Sequence, residues 1–343
     1  MGTPSREVRL AARPRGLPAP SDFEVAEVEV PDPGEGQLVV RNAFVSVDPY
    51  MRGRMNDTRS YVPPFALGEA MTGGAVGQVI ATRNERFREG EWVVHDHGWR
   101  EVALLDGRGA GRIDPARAPV STALGVLGMP GLTAYVGIVE IGTVGAEDTV
   151  FVSGAAGAVG SIAVQLAKAR GARVVGSAGT AEKVAWLEEL GLSAAFDYTE
   201  RPVKEALRAL APDGIDVYFD NVGGETLEAA IGSMRLRGRI VACGSIARYN
   251  DTSPAPGPRN LFMFVTKRLR MQGFIVFDHG DRRAAFLDEV APLVADGTIH
   301  YRETILDGLE RAPEALIGLL EGANIGKMLV RVGPAPGEKH VSD

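Results

Sequence analysis

The chain is predicted to be an α/β protein in which a doubly wound parallel-sheet domain sits between the two parts of a discontinuous β-barrel domain. Three observations predict it. The first third consists of short β-rich runs separated by Pro, Gly and charged clusters; from about residue 124 strands alternate with helical patterns, as βαβ units require; and the tail returns to strand material. A chain of 343 residues with 45% hydrophobic content has enough material for two cores. The boundaries expected are 1–123 for the first part of the β-rich domain, 124–298 for the parallel-sheet domain and 299–343 for the return.

In the first part, Gln37 to Val47 (QLVVRNAFVSV), Gly74 to Ala81 (GAVGQVIA) and Glu91 to His95 (EWVVH) read as strands. The long uncharged stretch Ser121 to Val139 has the length of a membrane span. Gly125, Gly128, Pro130, Gly131 and Gly137 make it a helix and turn at a domain junction instead. Thr149 to Ser153 is then a buried strand, Gly160 to Ala169 a helix, Ala172 to Ser177 a strand, Ala181 to Leu190 a helix, Ala195 to Asp197 a short strand and Arg201 to Ala211 a helix. Asp216 to Asp220, Arg239 to Cys243 and Met271 to Phe277 complete six strands. In the tail, Ile299 to Ile305 reads as a strand, Gly308 to Gly322 as a helix and Lys327 to Val332 as a last strand. Ser253 to Pro258 is a Pro-rich loop.

The formal charge of -7 argues against nucleic-acid binding, which needs clustered Lys and Arg. Cys243 is the single cysteine, so neither an intramolecular disulfide nor a cysteine-rich zinc site is available, and a reducing, cytoplasmic setting is expected. The opening residues carry several Arg but also Glu7, prolines and no apolar core, so they are not read as a secretory signal.

The most informative segment follows the strand TVFVS. Gly154-Ala155-Ala156-Gly157-Ala158-Val159-Gly160 leads directly into the amphipathic run SIAVQLAKA. Small residues at a strand-to-helix bend let backbone N–H groups approach a pyrophosphate at the positive end of the helix dipole, the arrangement of a Rossmann-type dinucleotide site. The first glycine of the usual pattern is Ala155, and it is the strand before and the helix after that support the assignment. An NAD-preferring site would place Asp or Glu at the end of the second strand to bond the ribose hydroxyls, whereas this chain has Gly176-Ser177. Lys183, at the start of the next helix, is suited to meet a 2′-phosphate as a point charge, so NADPH is expected over NADH.

Several segments carry a resemblance: VDPYMRGRM (Val47 to Met55), LGMPGLTAYVGI (Leu127 to Ile138), SGAAGAVGS, YFDNVGGE (Tyr218 to Glu225), ACGSIARYN (Ala242 to Asn250), LRMQGFIV (Leu269 to Val276) and EGANIGKMLV (Glu321 to Val330). Together and in order they resemble the zinc-independent medium-chain dehydrogenase/reductases, specifically the NADP-dependent alkenal and prostaglandin reductases, also called leukotriene B4 12-hydroxydehydrogenase-like enzymes. The resemblance implies that the β-rich domain is GroES-like and that Gly157, Ala158, Val159 and Gly160 hold the pyrophosphate. It implies that Lys183 and Tyr198 hold the 2′-phosphate side and that Asn221 lies beside the cofactor. Cys243, Gly244 and Ser245 through Tyr249, then Phe274, Ile275 and Val276, and Asn324 would line the nicotinamide end. A homodimer is implied as well.

The implied reaction moves a hydride from NADPH to the β-carbon of an α,β-unsaturated aldehyde or ketone, with a proton added at the α-carbon. Negative charge accumulates on the carbonyl oxygen, so catalysis needs positioning, a hydrogen-bond donor there and exclusion of water. A phenol suits that donor role. Tyr249 ranks first because it follows the cofactor-lining segment, and Tyr50 is expected to shape the pocket from the first domain. Some relatives carry a further Tyr where this chain has Thr266. No metal is demanded by this chemistry. His95-Asp96-His97 offers two imidazoles and a carboxylate, but zinc-dependent relatives use a Cys and a Gly-His-Glu motif where this chain has Ser46-Val47-Asp48 and Gly68-Glu69-Ala70. Two rival readings keep the same fold and cofactor: a quinone reductase of the same superfamily, and an NADPH-binding protein without turnover.

Overall fold

A computed structural model describes residues 2–337, so the end of the predicted return segment, 338–343, lies outside the described residues. The chain divides into two compact units. One comprises the described residues up to Gly125, Glu303–Asn324 and those from Met328 on; the other comprises Val126–Arg302 with Ile325–Lys327.

The first unit begins with β1 (Thr3–Leu10) and β2 (Phe23–Val30), an antiparallel pair. Toward the end of each, apolar residues alternate with charged ones at the strand period, with Val8 and Leu10 in TPSREVRL and Val28 and Val30 in FEVAEVEV. The main sheet follows with β3 (Leu38–Ser46), the short helix α1 (Tyr50–Arg54), β4 (Ala75–Thr82), β5 (Trp92–His95), β6 (Val102–Leu105) and β7 (Gly111–Ile113). β3 is buried at all but one position, as a central strand covered on both faces should be.

The second unit opens on the glycine-rich uncharged stretch, folded as α2 (Met129–Tyr135) running into a π-helical turn, Val136–Ile141. It continues with β8 (Thr149–Val152), α3 (Gly160–Ala169), β9 (Arg173–Ala178), α4 (Ala181–Glu189), β10 (Ala194–Asp197), α5 (Val203–Leu210), β11 (Ile215–Asp220), α6 (Gly224–Ser233), β12 (Met234–Ala242), α7 (Met263–Thr266), β13 (Arg270–Gly273) and α8 (Arg283–Ala295). The six strands form one parallel sheet in the order β10-β9-β8-β11-β12-β13. Strand order reverses beside β8, whose immediate neighbours are β9 and β11, and ligands bind at such a switch point outside the carboxyl ends of the strands. Buried residues of β8, β9, α2 and α3, with Phe286 and Val290 of α8, form the principal core.

The chain returns with β14 (Glu303–Asp307), α9 (Ala312–Leu320) and β15 (Lys327–Arg331). These join the antiparallel sheet in the order β14-β15-β3-β4-β5-β7, with β6 on β3. The fold is therefore the expected α/β combination of a Rossmann-like parallel sheet and a separate antiparallel sheet. Three local expectations shift. The strand expected over Ile299 to Ile305 begins at Glu303, because Ile299 is buried in the parallel-sheet core and its N–H caps α8 through Leu293 O at 2.7 Å. The strand expected from Met271 to Phe277 ends at Gly273, and a 3-10 turn starts at Val276. The helix expected from Gly308 to Gly322 is continuous only over Ala312–Leu320. Among the described residues no helix is long and apolar enough to cross a membrane.

Candidate cofactor and active site

In the parallel-sheet unit the bend after β8 is closed from within. Ala155 N–H donates to Ser177 O at 2.9 Å, tying the bend to β9, and Gly157 N–H donates to Gly154 O at 3.1 Å. Gly326 N–H donates to Ala156 O at 2.8 Å, an anchor that sequence reasoning missed because it comes from far along the chain. α3 starts at Gly160, and a Cβ there would lie 2.3 Å from Gly154 O and 2.8 Å from Ala155 Cα, so only glycine fits that crossing. Gly157, Ala158 and Val159 are half-buried and lie at the opening of the ten-residue helix, whose first N–H groups have no partner within the helix. A compact anion with several acceptor oxygens, such as a diphosphate, matches this cradle in size and charge.

The turn after β9 presents a second feature. Thr180 caps α4 by accepting from Lys183 N–H at 3.3 Å, which places Lys183 in the first helical turn. Tyr198 N–H donates to Ala178 O at 3.0 Å, and the Tyr198 hydroxyl lies over Gly179, where a Cβ would approach it to 2.7 Å. The structure thus brings Lys183 and Tyr198 to the same turn, at the carboxyl end of the strand next to the phosphate bend. Burial pulls the Lys183 ammonium below its ordinary pKa, and Glu182 partly offsets this. No carboxylate occupies the strand end itself, where Ser177 is buried.

Three loops at the sheet's carboxyl edge are bound together by a buried polar network. Asp220 is 2% exposed. Its Oδ1 accepts from the Tyr218 hydroxyl at 2.6 Å and from the N–H groups of Val222 at 2.9 Å and Gly223 at 2.7 Å. The Tyr218 hydroxyl also lies 3.0 Å from Ser153 Oγ, which accepts from Asn221 N–H at 3.1 Å, while Asn221 Nδ2 donates to Ser153 O at 2.8 Å. The Asp220 carbonyl accepts from Cys243 and Gly244 N–H, each at 2.9 Å, and Asn221 O accepts from Ile246 N–H at 3.2 Å. Burial raises the Asp220 carboxyl pKa, opposed by these donors. Sequence reasoning took Asn221 from YFDNVGGE and missed Asp220, Tyr218 and Ser153, although a carboxylate three residues before a paired glycine is a signal for a loop-capping acceptor.

The segment after β12 carries the leading tyrosine. Tyr249 closes a 3-10 turn over Ile246–Arg248, and its ring folds back so that its oxygen accepts from Ser245 N–H at 3.4 Å. Burial lifts the phenol above its ordinary pKa, so it is a neutral donor at physiological pH. Burial, with Asp220 nearby, pushes the Cys243 thiol up to about 12, which removes thiolate reactivity and leaves a small apolar contact. Phe274, Ile275 and Val276 are half-buried, and Phe274 and Val276 pack on the principal core. Thr266 ends α7 on the exposed surface.

In the other unit, Tyr50 opens α1 and packs on a core that includes Met51, Met55 and Trp99. Its phenol is raised well above the usual range by burial and by Asp48. Asn324 is buried in the return segment. His95 is held by structure rather than poised for a ligand: Nε2 pairs with Asn42 Oδ1 at 2.9 Å and Nδ1 accepts from His97 N–H at 3.1 Å. Burial brings its pKa down to about 3, so the ring stays neutral. Among the described residues no group of three His, Cys, Asp or Glu side chains is arranged to hold a metal ion, and the residues present do not fit a zinc centre.

Comparison with known proteins accords with this geometry. Residues 6–113 match the family described as the N-terminal domain of oxidoreductase, and residues 158–292 match the family described as zinc-binding dehydrogenase. The chain is 42% identical to the NADPH-dependent curcumin reductase of Escherichia coli (strain K12), over 94% of this chain and 95% of that protein. It is also 42% identical to the NADP(+)-dependent 2-alkenal reductase of Nicotiana tabacum, over 96% and 97%. The crystal structure of CurA from Vibrio vulnificus in complex with NADPH superposes with a TM-score of 0.92 at 41% identity, covering 96% of this chain and 99% of that one.

Proposed function

The chain belongs to the zinc-independent medium-chain dehydrogenase/reductases, in the alkenal and prostaglandin reductase group, and on that premise we propose that it reduces the carbon-carbon double bond of α,β-unsaturated aldehydes and ketones with NADPH. The observation that carries this reading is the pairing of a small-residue phosphate bend with a turn that bears Lys183, is covered by Tyr198, and has no carboxylate at the end of β9. When bound, NADPH supplies a hydride for the β-carbon of the alkene. The chain's residues do the rest. Gly157, Ala158, Val159 and Gly160 hold the diphosphate, and Lys183 and Tyr198 select the phosphorylated ribose. Asn221, Cys243, Gly244, Ser245, Phe274, Ile275, Val276 and Asn324 orient and shield the nicotinamide end. Tyr249 holds its proton toward the substrate carbonyl oxygen as charge develops there, and Tyr50 contributes a second phenol from the antiparallel-sheet unit. The division of labour assigned is substrate recognition to 1–123 with 299–343, and cofactor binding to 124–298.

A panel of enals, enones and quinones, followed by NADPH absorbance with NADH as control, tests the reading. Faster turnover with enals and enones supports it; preference for quinones would favour a quinone reductase, and binding without turnover a non-catalytic role. A homodimer in the cytoplasm is part of the same proposal. β13 is the edge of the parallel sheet, all four of its residues are exposed, and Met271, Leu236, Phe262 and Val265 put apolar surface around it. An unprotected apolar edge is a template for pairing with a second copy. Light scattering of the purified protein checks it: a dimer is expected, and a monomer at working concentration would contradict it.

A further inference from the structure

We propose that Tyr218 is a positioning residue for the nicotinamide half of the cofactor: with Ser153 and Asp220 it forms a one-way hydrogen-bond chain that holds Asn221 with its side-chain oxygen toward that half. This rests on the reading that Asn221 serves the nicotinamide end. The place follows from the sheet. Strand order reverses between β8 and β11, and the two halves of a dinucleotide lie on either side of such a crevice. The same reading puts the adenosine ribose at Lys183, on the β9 side, which leaves the β11 side for the nicotinamide. Asn221 follows β11 directly, and a Cβ built on Gly154 would lie 3.6 Å from Asn221 Cβ, so the residue flanks the start of the phosphate bend.

The chain has a fixed direction. Asp220 Oδ1 accepts from two backbone N–H groups, which can only donate, and the same oxygen lies 2.6 Å from the Tyr218 hydroxyl, so the single phenol proton goes to Asp220. Burial and Asp220 lift the Tyr218 phenol well above its ordinary pKa, so that proton stays in place. Tyr218 has no second proton for Ser153 Oγ at 3.0 Å. The serine hydroxyl therefore donates to the phenol oxygen, its other acceptor, Phe219 O, being farther at 3.4 Å. With its proton committed there, Ser153 Oγ accepts from Asn221 N–H at 3.1 Å. Asn221 Nδ2 meets Ser153 O at 2.8 Å, a contact only the nitrogen end of the amide can make, since two oxygens would repel. Oδ1 is thus the acceptor left for a ligand, and it matches a donor: the nicotinamide carboxamide N–H or a hydroxyl of its ribose. Ser153 and Tyr218 are fully buried, and the Tyr218 ring stacks on Phe151 with centroids 5.1 Å apart, so both act through Asn221.

Isothermal titration of the full chain with three ligands tests this: NADPH, 2′-phospho-ADP-ribose, which lacks the nicotinamide ring, and adenosine 2′,5′-bisphosphate, which lacks the whole nicotinamide half. Tyr218→Phe keeps the ring stack and removes only the hydroxyl. It should weaken NADPH about tenfold, the worth of roughly one hydrogen bond, and leave adenosine 2′,5′-bisphosphate unchanged. Ser153→Ala should do the same, and the double variant should lose no more than either alone, because both break one chain. A loss seen with NADPH alone supports the proposal with the carboxamide as donor, and one shared with 2′-phospho-ADP-ribose supports it with the ribose hydroxyl. Unchanged NADPH binding, an equal loss for adenosine 2′,5′-bisphosphate, or additive losses in the double variant would overturn it. Should Tyr218→Phe fail to fold, Ser153→Ala decides by the same three ligands. Enone turnover plays no part in the comparison, so a failure of the reduction reading shows separately, as wild-type protein that binds NADPH and turns over no enone.

Discussion

Replacing Lys183 by Ala removes the cation proposed to meet the 2′-phosphate of NADPH from the turn after β9, and it separates the two dinucleotides by a calculable amount. Lys183 is half-buried in the first turn of α4, and the N-cap bond from its own N–H to Thr180 is a backbone interaction that survives truncation. The loss is therefore electrostatic. Two unit charges at about 4 Å interact by about 4 kcal/mol in partly exposed protein surroundings, and desolvation of the ammonium returns part of that. A charge-assisted hydrogen bond measured by deletion is worth about 1.5–3 kcal/mol, which at about 1.4 kcal/mol per decade is a loss of roughly 10- to 100-fold in NADPH affinity. Because partial exposure favours the lower end, roughly tenfold is expected, with the NADH constant nearly unchanged. Dissociation constants for both cofactors, read from quenching of protein fluorescence, measure it. Equal losses for NADPH and NADH would refute the assignment of Lys183 and with it the electrostatic reasoning.

Further substitutions probe the other parts of the site. Tyr249→Phe should lower kcat by about 100-fold, as removal of a hydrogen-bond donor at a developing oxyanion does, with NADPH affinity unchanged; an unaltered kcat would remove Tyr249 from the mechanism. Since burial raises the Tyr249 phenol above its usual value of about 10, its donor form should persist through the neutral range and be lost only as pH rises through that elevated value. Gly160→Ala should abolish tight NADPH binding, because the new methyl would meet Gly154 O and Ala155 Cα; binding at the original strength in isothermal titration would contradict the packing. Asp220→Ala leaves the Tyr218 hydroxyl and two loop amides without their acceptor, at about 1–3 kcal/mol for each buried donor, so a large drop in melting temperature and weakened NADPH binding are expected. The Asp220 carboxyl has a raised pKa in the folded state, so the native chain binds more protons there than the unfolded chain, and this group's contribution to stability falls as pH rises through the folded value. Asp220→Asn should remove that slope from melting curves taken across the mildly acidic range, and an unchanged slope would show that Asp220 is not its source.

The parallel-sheet unit was legible because its local signals agree. The run from Thr149 through Ala169 reads as strand, glycine bend and amphipathic helix, and α3 occupies the range the pattern predicts, Gly160–Ala169. β1 and β2 were not legible in the sequence, because apolar residues alternate with charged ones only over the last four residues of each, and Pro4 and Ala26 break the period before that. α8 was passed over because Pro292 interrupts it and its buried positions, Phe286 and Val290, are set by packing on the core rather than by a clean local stripe. α1 is too short to show a period. At the site, small residues and charges at element ends were visible in the sequence, as with Lys183, which a capping threonine fixes. The Asp220 network was not, since it joins Ser153, Tyr218 and Asn221 across β8 and β11, and no spacing along the chain announces a contact made between strands.

The most direct test of the whole account is the fate of deuterium from NADPH labelled at the transferring position of the nicotinamide, incubated with a simple enone and the purified protein. The account predicts a saturated ketone carrying the label at its β-carbon, formed much faster than with labelled NADH. An unlabelled product, label at the carbonyl carbon, or faster reaction with NADH would contradict it.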